Sequence, residues 1–139
     1  MKNIITASIE FYFKGEKYSP TLTLELDDYM QASGSMPDLY PLIAAGNNID
    51  LYSYEYEIMQ AEPIRVADAQ GLVANFVANG ALDTTAFELA WQEQLIRTTI
   101  RQIVTQHGHS HILEQYPEFE QTLIEIYRIA ERNVSNSGI

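Results

Sequence analysis

Every histidine of the chain falls within five positions, His107-Gly108-His109-Ser110-His111, with Glu114 three residues further on. Imidazole nitrogens at alternate positions and a nearby carboxylate are the donor types that zinc, nickel or iron accept. His107, His109, His111 and Glu114 are therefore the one candidate metal set. Against that reading, no further ligand is spaced to close the shell, and His107 also suits a helix C-terminus, where a cationic ring is favoured. The expectation is a helix end followed by a solvated loop, with a divalent metal such as zinc as the alternative.

Three other groups could carry chemistry. Tyr52, Tyr54 and Tyr56 alternate with Ser53, Glu55 and Glu57. If extended, this segment would set three phenols on one face, either as a surface for helices or as an aromatic platform for a small molecule. Arg97 and Arg101, like Arg128 and Arg132, lie one helical turn apart and could grip a carboxylate or a phosphate; in an acidic chain, surface ion pairs with neighbouring glutamates are the simpler expectation. Glu55 with Glu57, or Asp27 with Asp28, have the composition of an acid–base pair, but a solvated face and a helix cap account for them.

Several chemistries are excluded. There are no cysteines, hence no disulfide, thiol nucleophile or iron–sulfur cluster. No two of the seven glycines lie closer than nine positions apart, so no glycine-rich phosphate loop can form. Neither Gly-x-Ser-x-Gly nor His-Glu-x-x-His occurs. The net charge of −11 comes from a shortage of bases, eight against nineteen acids, and no basic stripe exists to release counterions from a phosphate backbone. Nucleic acid and anionic membrane are thus not expected as partners. No apolar run reaches the ~20 residues of a membrane span, and Thr6, Ser8 and Glu10 interrupt the only signal-like start, so a cytoplasmic location is expected.

The elements that would position these residues are legible to different degrees. Ile5, Ala7, Ile9, Phe11 and Phe13 alternate with polar residues; after a turn at 14–17, Leu22, Leu24 and Leu26 alternate again. This predicts an antiparallel hairpin. Asp27-Asp28 should cap a short helical turn, and Ser35 or Asp38 a second helix closed by Gly46. Residues 50–62 fit a strand better than a helix, because a helix capped by Asp50 would place Glu55 and Glu62 in its apolar face. Asp68 and Gly80 bracket a predicted helix bearing Leu72, Val73, Phe76 and Val77. Asp83, or the box Thr85–Glu88, opens a long helix to about Gln106, with Leu89, Ile96, Ile100 and Ile103 as its core face and Phe87, Trp91 and Leu95 alongside. Pro117 starts a last helix with Phe119, Leu123, Ile126, Tyr127 and Ala130 inward.

The expected fold is α+β: an N-terminal antiparallel hairpin or small sheet of two or three strands packed against about three C-terminal helices. It should form a single domain over 1–139, with a sheet-forming half at about 4–67, a helical half at about 68–133 and a frayed tail at 134–139. The sparse, dispersed polar chemistry favours a non-catalytic protein-interaction or regulatory protein of bacterial type. Self-association as a homodimer is expected, through sheet edges or the long 84–106 helix. The alternatives are the histidine metal site and a small-molecule domain on the tyrosine face.

Overall fold

The hairpin is present, and it is built in two stretches. A computed structural model describes residues 2–137, with side-chain exposure described through 134. Strands β1 (Ile4–Ser8) and β4 (Thr21–Glu25) pair antiparallel, as do β2 (Phe11–Phe13) and β3 (Glu16–Tyr18). The register is unbroken: Ser8 faces Thr21, the Ile9 amide donates to the Pro20 carbonyl at 3.1 Å, and Phe11 faces Tyr18. The alternation is realised, with Ile5, Ala7, Ile9 and Phe11 buried while Thr6 and Thr23 hydrogen-bond on the other face at 3.0 Å.

A third strand, β5 (Arg65–Gln70), pairs with the other side of β1, giving the antiparallel order β4-β1-β5. The helix predicted from Asp68 to Gly80 is not formed. Asp68 has φ +50° and lies where the register shifts, so it makes a bulge in β5 rather than a helix cap. Residues Leu72–Phe76 make a single 3₁₀ turn, and β6 (Val77–Ala78) pairs with β7 (Ala81–Leu82). Asn79 and Gly80 both have positive φ, 54° and 77°, as the two-residue turn of a right-twisted hairpin demands. Asn-Gly between apolar residues is a hairpin signal that outweighs the helical stripe.

Helices α1 (Asp27–Ser33), α2 (Leu39–Gly46) and α3 (Tyr54–Gln60) also belong to this part of the chain. Asp38 caps α2 by accepting from the Tyr40 amide at 3.1 Å. Asp27 does not cap α1; its carboxylate is bound to Asn3. The extended reading of 50–62 is corrected: Ser53 caps α3, accepting from the Tyr56 amide at 3.2 Å, and the buried side chains are Tyr56 and Met59, three apart. α2 lies against β1 and β4, and α3 against β2.

The long helix α4 (Thr84–Gln106) has the expected bounds. Asp83 is its cap, accepting from the Ala86 amide at 3.1 Å, while Glu88 of the alternative box turns to the Met36 amide. Gly108 (φ +75°) ends the run. Then come α5 (Ser110–Gln115) and α6 (Pro117–Ser137), which continues as helix where a frayed tail was expected; residues 138 and 139 lie outside the described ones. The fold is α+β, with six helices rather than about three, half of them before residue 61. Its contacts divide the chain into two compact units, Met1–Ala90 and Trp91–Ile139. No helix among the described residues is long and apolar enough to cross a membrane.

Candidate functional site

The sequence-predicted metal ligands do not assemble. His107, His109 and His111 are all exposed; the last two set their rings 6.4 Å apart, edge to face. Glu114 lines a different feature, a cleft of about 300 Å³ with Arg101, Thr105, Ser110, Leu113 and Glu120. Among the described residues no three His, Asp or Glu side chains come together as a metal would require. The tyrosine row is likewise dispersed by the α3 helix: Tyr52 and Tyr54 face solvent, and Tyr56 is buried. Burial, and then Asp38, push the Tyr56 phenol above its usual value of 10.0.

The arginine pair at 97 and 101 does grip a carboxylate. Glu120 of α6, only 6% exposed, accepts from Arg97 Nη1 at 3.3 Å and from Arg101 Nε and Nη2 at 3.2 and 3.0 Å. Arg97 also donates to Glu93 at 2.8 Å, the i, i+4 pair the spacing suggests, and Arg128 reaches Glu93 at 3.3 Å. Glu120 went unnoticed in the sequence because its partners lie 19 and 23 residues away. The only local signal was the two arginines one turn apart. The pairs also fix the helix directions: Arg101 meets Glu120 while Glu93, two turns earlier, meets Arg128, so α4 and α6 run antiparallel.

The second feature of this helical unit is what it leaves uncovered. Of the sixteen buried apolar residues among the described ones, fourteen lie in the first unit; the second contributes Ile100 and Ile124 alone. The inward assignments for α6 are corrected: Phe119 (42% exposed), Ile126 (57%) and Tyr127 face outward, and Ala130 is exposed. Glu120 and Ile124 take the buried positions, and Leu123 is partly exposed. On α4, Leu89, Leu95 and Ile103 are exposed, while Phe87 and Ile100 are buried.

The exposed set is ordered. At about 100° per residue, Ile129, Ile126, Phe119, Ala130, Leu123 and Tyr127 fall within an arc of roughly 160° on α6, and every charged residue of that helix falls outside it. On α4, Ile96 and Ile103 lie about a third of a turn to one side of the line of ion pairs. Because the helices are antiparallel, the α6 stripe, Ile129 apart, lies on the same side of that line. The hairpin therefore has one apolar face.

No family model matches this chain, and neither a curated protein nor a solved structure does. The residues themselves have to carry any functional reading.

The ion-pair network has a pH signature. Burial alone raises the Glu120 carboxyl, but Arg101 and Arg97 outweigh it and hold the group below its ordinary 4.5. The hydrogen bond from Arg97 is the main cause lowering Glu93. Both acids bind fewer protons folded than unfolded near pH 4.5, so their stabilisation is complete above that value and is lost as pH falls through the depressed folded values. Urea midpoints measured from pH 7 to pH 2 should fall below about pH 4.5. Replacing Glu93 and Glu120 together by glutamine should flatten that part of the profile.

Proposed function

We propose that this chain is a non-catalytic protein-interaction protein whose working surface is the apolar face of the α4–α6 hairpin. One observation carries the reading: a helix face patterned for burial is left exposed. Contiguous exposed apolar surface flanked by charge marks protein contact sites in folded proteins. Composition supports the same surface: Phe119 and Tyr127 lie in the stripe and no lysine occurs beyond residue 17, as interface cores favour aromatics over lysine.

The polar chemistry supports a non-catalytic role. The most buried charged group, Glu120, has its oxygens taken up by two guanidiniums, so it is not poised to move a proton. The test is a photo-crosslinking residue at position 126 in the full chain, expressed in cells, with adducts identified by mass spectrometry. Protein adducts at 126 and not at 125 are expected, since Glu125 lies on the charged side. An absence of adducts at 126 at saturating illumination overturns the reading.

A further inference from the structure

We infer that the occupant of this face is a second copy of the chain, docked two-fold so that two hairpins form a four-helix bundle. The inference rests on the interaction reading above and names its partner.

Charge is the first ground. The first unit carries thirteen acids and four bases, net −9, whereas the second carries six acids and four arginines, net −2. A uniformly spread charge of −11 would oppose self-association. Here the repulsion is concentrated in the other unit, and the helical unit is close to neutral. Within it five of the ten charges, Glu93, Arg97, Arg101, Glu120 and Arg128, are paired with one another. An apolar stripe with no charge of either sign is self-complementary, as a two-fold interface must be, and offers nothing to a strongly charged partner.

Area is the second ground. Phe119, Ile126, Tyr127, Ile129 and Ile103 are each between 42% and 57% exposed. At about 150–200 Å² for each whole residue, they present on the order of 400–450 Å² per chain. That is roughly half of the ~800 Å² per partner in a stable complex, before any rim is counted. Leu123 and Ala130 complete a 3–4 spacing with Phe119 and Ile126, the repeat that packs knobs into holes between helices. Antiparallel hairpins with such stripes bury them by pairing into bundles.

Sedimentation equilibrium of the full chain tests this. A species of twice the 15.8 kDa chain mass is expected at tens of micromolar. Ile126→Glu, and separately Ile103→Glu, should weaken the dimer by about 100-fold or more while far-UV circular dichroism keeps its helical signal; Ile126→Leu should leave it intact. The chain has no cysteine, so single cysteines report on proximity without background. Ala130→Cys should form disulfide-linked dimers under mild oxidation at least tenfold faster than Gln121→Cys, which lies on the far side of α6. A monomer at these concentrations overturns the proposal, and so does a dimer indifferent to both glutamates, which would place the contact at a sheet edge. If the chain is monomeric but position 126 still crosslinks to another protein in cells, the partner named here is wrong and the interaction reading stands.

Discussion

Replacing Asn3 by alanine should destabilise the first unit by about 3 kcal/mol, a large share of what a domain this size has. Asn3 is 4% exposed and uses every polar atom it has. Its amide and Nδ2 donate to the two oxygens of Asp27 at 2.8 and 2.9 Å, its Oδ1 accepts from the Val73 amide at 3.0 Å, and its carbonyl accepts from the Leu26 amide at 2.8 Å. One side chain thus ties the start of β1 to the start of α1 and to the 3₁₀ turn after β5. Alanine leaves the buried Val73 N–H without its acceptor, at about 1–3 kcal/mol, and removes a donor from a carboxylate, a charge-assisted bond of about 1.5–3 kcal/mol.

The Gly71→Ala change should act on the same spot. Gly71 has φ +89°, and a Cβ there would lie 2.5 Å from the Lys2 carbonyl oxygen and 2.8 Å from Asn3 Oδ1. The backbone at Lys2, just ahead of β1, would have to shift, which breaks the bonds that Asn3 makes. The two changes share a mechanism, so their costs should fall well short of adding when combined. Urea unfolding checks both: the midpoint drops with the slope unchanged. A loss under 1 kcal/mol for Asn3→Ala would show that the junction is not what holds these elements together.

That junction also shows where the sequence was readable. The alternation from Ile5 to Phe13 was legible because a sheet face buries every second residue, fully from Ile5 to Phe11 and partly at Phe13. The bounds of α4 were legible because Asp83 and Gly108 are local signals read by the backbone next to them. Residues 50–62 misled because tyrosine alternating with glutamate imitates a strand. The Asp50 and Ser53 oxygens accept from the Tyr52 and Tyr56 amides, however, and this local bonding starts a helix. Asn3, Glu120 and the bulge at Asp68 could not be read, since each is defined by partners that only the fold brings near. The histidine cluster stood out by composition and is solvated, whereas Phe119, Ile126, Tyr127 and Ala130, placed inward because their spacing is that of a buried helix face, are exposed. What the pattern does not encode is whether the burying surface lies in the same chain.

Removing both arginines that hold Glu120 should have the other large effect, and its pH dependence should distinguish it from ordinary loss of packing. In Arg97→Met/Arg101→Met the carboxylate loses its donors. A buried charge stripped of its partners costs about 3–5 kcal/mol at neutral pH, and far-UV circular dichroism should show helix loss well below the wild-type unfolding temperature. Burial, no longer opposed, then raises the Glu120 carboxyl above its unfolded value, the reverse of the native shift. A raised acid penalises folding increasingly as pH rises from about 4.5, while the native pairing gains over the range just below it. The stability gap between wild type and variant should therefore widen as pH rises through about 4.5 and level off once the variant's Glu120 is ionised. Adding Glu120→Met should close most of that gap and remove its slope, because an apolar side chain of similar size has no charge to desolvate. If the triple variant were as unstable as the double, the two arginines would be acting through their aliphatic stems on α4 and not through the buried carboxylate.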